Sequence, residues 1–289
     1  MNFFSINLIR RFLIRRYGFV DGIPFEYWKK GFGNDDSGKK IFCLSTGRAG
    51  TATLANIFSC SKNVLSLHEP VPNLHKLNRL SYISEAKDNG ILSEVVFIAR
   101  NDLIRYAKNR KFIYLETSPQ VTFLANHLND KFENCYYIHL IRNPFDVIYS
   151  GLKRKWYDGH SNDYGRITPA KGSPFFLDWT SMSLIEKNIW LWAETNNWIE
   201  LFINRSKVKF IRIKSEDIFC NNQEVVCDLI KFIGCEIIDN SIIENILNNK
   251  INQQKTGEKI SFREWSKKEK KLFEKLALPI VERYSIDLE

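Results

Sequence analysis

Two short stretches hold residue types that can grip an anion. The first is Ile41-Phe-Cys-Leu-Ser-Thr-Gly-Arg-Ala-Gly-Thr-Ala-Thr-Leu54, an apolar run ending in a glycine-bearing turn with one arginine and several hydroxyls. A helical pattern follows through Ala55, Ile57 and Phe58. Strand, tight turn and helix start in that order gather backbone N–H groups and a helix N-terminus around one anion. The second stretch is His139-Leu-Ile-Arg142-Asn143-Pro144-Phe145-Asp146-Val-Ile-Tyr-Ser150. Arg142 leaves a strand as Pro144 opens a helix, and Ser150 projects from that helix's second turn. An arginine fork and a hydroxyl then converge on a second anion at the carboxyl edge of a sheet. Asp146 is expected to cap or pair within the helix start.

The first turn is not a Walker-type P-loop, which needs Gly-Lys-Ser/Thr to hold phosphate and Mg²⁺. Gly50 is followed directly by Thr51, and the cation, Arg48, comes earlier. Magnesium-dependent nucleotide hydrolysis is therefore disfavoured. A turn that merely joins strand to helix is the plain alternative.

The elements that must position these residues alternate. Strand patterns lie at 41–45, 63–67, 111–116, 136–141 and 208–213, and helical patterns at 50–59, 121–132, 144–155, 183–203, 227–233 and 242–247. Residues 72–109 read as polar with helical stretches, 158–180 as a long Gly/Ser/Pro-rich loop, and 266–284 as one closing helix. Strands separated by helices predict an α/β fold, a three-layer domain whose central, mainly parallel sheet is flanked by helices. In the 183–203 helix, Ile185, Ile189, Trp192, Ile199 and Phe202 share one face, so its tryptophans are assigned to the core.

A formal charge of +9 fits an acidic partner, and 44% hydrophobic residues suffice for a sizeable core. No apolar run reaches the length of a membrane span. None of the six cysteines forms a CxxC pair, and several sit in apolar patterns; buried free thiols and a reducing, cytoplasmic setting are expected. Residues 1–39 form a separate N-terminal segment and linker, in which Arg10, Arg11, Arg15 and Arg16 alternate with apolar residues at helical spacing. That pattern suits a helix packed on its own domain or a peripheral contact of residues 1–20 with a membrane surface. No nucleic-acid reading motif is present, so nucleic acid is not an expected partner.

The two anion motifs, about 90 residues apart, resemble those of the sulfotransferases that use 3′-phosphoadenosine 5′-phosphosulfate (PAPS). The resemblance covers residues 40–289 and is weakest in 70–110 and 156–180. It implies a P-loop-like fold and a metal-independent reaction with PAPS as donor and PAP as product. By that resemblance Arg48, Ala49, Gly50, Thr51, Ala52 and Thr53 hold the 5′ end, and Arg142 and Ser150 the 3′-phosphate. Phe210-Ile-Arg-Ile-Lys-Ser-Glu216-Asp217-Ile218 resembles the family's late strand, and Lys255-Thr-Gly257…Trp265 the segment that closes over the nucleotide, with Lys255, Lys259 or Arg263 as its phosphate ligand.

Arg48 stands where many family members have a catalytic lysine. Arginine donates hydrogen bonds but does not readily release a proton, so its role is charge stabilisation. For the base, Leu67-His68-Glu69-Pro70 offers Glu69, by resemblance to carbohydrate sulfotransferases, with His68 as rival. Burial beside the donor is expected to raise the basicity of Glu69, and on an extended segment only one of the two neighbours should face the cleft. Glu116-Thr117-Ser118-Pro119 resembles an acceptor-contacting turn, with Glu116 as the contact; an ordinary Ser-Pro helix entry is the alternative. The resemblance points to a hydroxyl acceptor on a glycan or glycolipid. A small-molecule kinase and a nucleotide-binding module without turnover are the competing functions.

Overall fold

The computed structural model describes residues 38–84, 90–248 and 261–288. Residues 1–37, and with them the basic N-terminal pattern, lie outside that part, as does Lys255.

The central strand explains the layering. In β1 (Lys40–Leu44) every residue is buried, and alternate side chains enter different cores. Phe42 and Leu44 join one cluster, Ile41 and Cys43 the other, as a period of two requires when a sheet is covered on both faces. The same alternation sends Tyr137 and Ile141 of β4 (Cys135–Ile141) to one face, and Ile138 and Leu140 to the other. With β2 (Val64–Leu67), β3 (Ile113–Glu116) and β5 (Lys209–Lys214) they form a five-stranded sheet in the order β2-β3-β1-β4-β5. All four pairings are parallel.

Helix α1 (Thr51–Ser59) contributes Leu54, Ile57 and Phe58 to the core on one face. On the opposite face lie α2 (His75–Ser84), α3 (Ile91–Asn109) and, after a 3₁₀ stretch at Pro119–Leu124, α4 (Ala125–Lys131). The pattern at 121–132 is thus split between two helix types, with Ser118 capping the 3₁₀ entry through the amide of Gln120. Helix α5 (Pro144–Lys153) follows β4, and Asn143 caps it through the amide of Phe145 at 2.8 Å.

The long α6 (Leu184–Ser206) starts in a reciprocal capping box between Ser183 and Glu186. Trp190, Trp192 and Trp198 are buried, as the sequence pattern predicts, and Trp192 does more than fill space. Its indole Nε1 donates to the carbonyl of Arg142 at 3.0 Å, pinning the second anion motif to the core. Short α7 (Ser215–Phe219) leaves β5 directly, followed by α8 (Gln223–Ile233) and α9 (Asn240–Asn248).

Two sequence expectations need correction here. The closing helix is two helices, α10 (Lys267–Leu276) and α11 (Leu278–Arg283), because Pro279 has no N–H to continue the ladder and its ring crowds the preceding turn. Of the six cysteines, all free, only Cys43 is buried; Cys60, Cys220 and Cys227 are exposed at the ends or outer faces of elements. Among the described residues no helix is long and apolar enough to cross a membrane.

Candidate active site

A cavity of about 870 Å³ opens at the carboxyl ends of the strands, within the range of pockets that hold small-molecule ligands. The sheet order sets what meets there. The exits of β1, β4 and β5 supply the turn after Leu44, the Arg142 turn and α7, while β2 supplies His68 and Glu69 from the other side.

The β1–α1 turn is curled by three left-handed residues, Gly47 (φ 81°), Arg48 (φ 57°) and Gly50 (φ 84°). Gly50 caps α1 without any side-chain hydrogen bond, so the helix presents its first N–H groups at Thr51, Ala52 and Thr53 to the cavity. A Cβ on Gly50 would lie 2.7 Å from Cζ of the partly exposed Phe219 ring, which would have to shift, and the backbone angle itself favours glycine. Ala49 turns inward instead: it is fully buried, and its carbonyl accepts from the Ser215 hydroxyl at 2.6 Å.

Arg48 Nε donates to Ser150 Oγ at 2.9 Å, joining the two motifs. Arg142 spans the same junction. Its Nη1 donates to the carbonyl of Arg48 at 2.9 Å, its Nη2 pairs with Asp146 at 2.8 Å, and its Nε is buried without a partner. Asp146 therefore pairs within the helix start, as expected. Burial, then the neighbouring Arg154 and Arg142, push the Arg48 guanidinium down to about 10, with Glu69 acting in the opposite direction. Partly desolvated cations that depress one another leave a site short of negative charge. A di- or polyanion fits that deficit.

His68 and Glu69 both line the cavity and both are exposed, against the expectation that one would turn away and that Glu69 would be buried. Glu69 adopts φ 49°, so the chain is not extended there and the alternation of a strand does not carry through. A glutamate held in the left-handed region is a strained placement of the kind that concentrates at functional sites. His68 Nδ1 donates to the carbonyl of Thr117 at 2.6 Å, which leaves Nε2 of the neutral ring as a lone-pair base.

Glu116 does not join the site. Both oxygens bind Arg100, at 2.7 and 3.0 Å, the Tyr114 hydroxyl adds a third bond at 2.7 Å, and both members of the ion pair have no solvent exposure. Its role is to hold β3 to α3, and the Ser-Pro helix entry accounts for the rest of that turn. Trp265 packs among Phe145, Phe262 and Phe273, with its ring 5.6 Å from that of Phe145 at the start of α5.

Sequence reasoning missed Arg154, Phe219 and the cavity wall built by Trp156, His160, Arg166 and His75. Arg154 lies one helical turn beyond Ser150, a spacing that would have revealed it. Phe219 ends α7, and the others come from a loop and from α2, whose approach no local pattern announces. Gly165 packs so closely on His75 that an added Cβ would sit 2.4 Å from the histidine Cβ, and Arg79 of α2 donates to the carbonyl of Tyr164 at 3.3 Å.

The sulfotransferase domain family matches residues 38–277. The chain belongs to that family. Its chemistry is transfer of a sulfuryl group from PAPS, and the kinase reading gives way to it. Among solved structures, the sulfotransferase STF9 of Mycobacterium avium is similar at a TM-score of 0.53 and 11% identity, over 96% of this chain and 82% of that one. The sulfotransferase domain from the Synechococcus PCC 7002 olefin synthase is similar at 0.50 and 16%, over 90% and 100%. At such identities the likeness concerns the fold. Curated protein sequences give no match.

Proposed function

We propose that this sulfotransferase moves the sulfuryl group of PAPS to a hydroxyl on a carbohydrate or glycolipid. One observation carries the donor half: the β1–α1 turn and the Arg142–Ser150 segment meet through the Arg48–Ser150 bond, around guanidiniums that lack enough carboxylate to balance them. The amides of Thr51, Ala52 and Thr53 would hold the 5′-phosphate, and Arg142 with Ser150 the 3′-phosphate. Lys255, outside the described residues, would add a further cation.

Glu69 takes the acceptor proton as the hydroxyl oxygen attacks sulfur. The bond from sulfur to the bridging oxygen breaks in line, and its electron pair leaves with PAP. Arg48, fully charged at neutral pH, stabilises the negative charge that builds on that oxygen. The placement of Glu69 in a strained backbone at the cavity wall supports its role as base. The bond from His68 to Thr117 favours a second reading in which His68 Nε2 takes the proton.

Residues 1–20 would bring the enzyme to an anionic membrane surface if the acceptor is lipid-linked, and the setting would be the reducing cytoplasm. Purified protein incubated with labelled PAPS and a glycan and glycolipid panel tests the proposal. Transfer to one of them is expected; PAP binding without transfer would instead mark a binding module, and no PAP binding would remove the donor assignment.

A further inference from the structure

Six side chains around the acceptor end of the cavity lie within electrostatic reach of their neighbours and close a ring. Arg48 feels Arg154 and Glu69; His75 feels Glu69, Arg166 and His160; His160 feels Arg166 and Arg154. The ring draws on the β1–α1 turn, the exit of β2, the start of α2 and the segment after α5, all of which line the cavity.

Its charges do not balance. Arg166 is neutralised by Asp163 at 2.9 Å and stacks over Trp156, with Cζ 4.1 Å from the ring centroid. Burial depresses both His75 and His160, so these rings are neutral near pH 7. Glu69 offsets one cation and is claimed by catalysis. Arg154 is left: among the described residues no carboxylate pairs with it, and its Nε is buried with no hydrogen-bond partner. It stands between Arg48 at the reaction centre and His160 on the far wall. A half-buried guanidinium without a counter-charge is costly unless a ligand supplies one.

We propose that the acceptor carries its own acidic group, a carboxylate or sulfate beside the reacting hydroxyl, and that Arg154 binds it. This rests on the sulfotransferase reading above and narrows the acceptor to acidic sugars. The donor answers Arg48 and Arg142; a neutral glycan would add no counter-charge for Arg154, whereas an acidic one completes the ring.

The test uses full-length protein saturated with PAP, titrated by calorimetry with 4-nitrophenyl β-glucuronide, 4-nitrophenyl glucose 6-sulfate and the neutral 4-nitrophenyl β-glucoside. At least one acid is expected to bind about tenfold more tightly than the glucoside, the usual scale for a charge-assisted pair, and which acid does so tells carboxylate from sulfate. Arg154→Gln should erase that preference, while Arg154→Lys retains part of it. Equal binding of all three, binding of none, or a preference that survives Arg154→Gln would overturn the proposal. Failure of PAP to bind at the outset would instead refute the donor assignment, so the two failures are distinguishable.

Discussion

Arg48 Nε donates to Ser150 Oγ at 2.9 Å, across a separation of 102 residues. The hydroxyl proposed for one end of the donor thus holds the arginine proposed for the other. Bound donor would release both. Ser150→Ala removes the anchor and one phosphate contact together, so PAP affinity should fall about tenfold to a hundredfold, read by calorimetry. An unchanged affinity would detach Ser150 from the donor site.

Arg142 is fixed from behind by the Trp192 indole and in front by Asp146 and the carbonyl of Arg48. Replacing it with alanine removes a fork and leaves Asp146 without this partner at the cavity wall. The expected loss in PAP binding is about 2–5 kcal/mol, the range for truncating one member of a hydrogen-bonded charge pair. Trp192→Phe, which keeps most of the packing, should give a smaller loss in the same direction.

Glu69→Gln should lower kcat by a factor of about 100 or more, as loss of a general base does. PAP affinity should hold or rise, because a negative charge near Arg48 is removed. His68→Asn separates the two bases: a comparable collapse in kcat with Glu69→Gln nearly silent would transfer the role to His68.

Gly50→Ala combines a left-handed backbone with a Cβ 2.7 Å from the Phe219 ring. It should destabilise the fold by more than about 1 kcal/mol in chemical denaturation and weaken PAP binding. Adding Phe219→Ala should recover only the steric part.

His139 supplies a pH prediction away from the site. It is fully buried, its Nε2 donating to Asn196 at 2.9 Å and its Nδ1 accepting from Arg212 at 3.2 Å. Burial pushes it down to about 4; the bond to Asn196 and the charge of Glu200 oppose that shift, and Arg212 reinforces it. The unfolded chain therefore takes a proton before the folded one does. Stability is unaffected above about pH 6.5 and falls as pH drops toward 4, by on the order of 3 kcal/mol in total. Denaturation midpoints at pH 7 and pH 4.5 should differ less in His139→Gln than in the parent chain.

Local chemistry was legible where it is encoded by neighbours in the chain. Gly50 before Thr51, or Pro144 after Arg142, dictates a turn and a helix start whatever the rest of the protein does. Continuous apolar runs such as Ile41–Leu44 likewise marked the strands, because a strand covered on both faces needs apolar residues throughout. Those signals carry the α/β class and the residues proposed to bind the donor.

Packing between distant segments decided the remainder. Glu116 looked available until Arg100, from the preceding helix, enclosed it. Glu69 and His68 reach the same cavity only because the backbone turns left-handed after β2. Arg48 meets Arg142 and Arg154 only because the β4 exit and the end of α5 come to the β1–α1 turn, and the far cavity wall depends on Gly165 lying against His75. A chain by itself determines periodicities and turn chemistry over a few residues. Charge balance and side-chain burial arise between segments a hundred residues apart, and only the folded protein sets them.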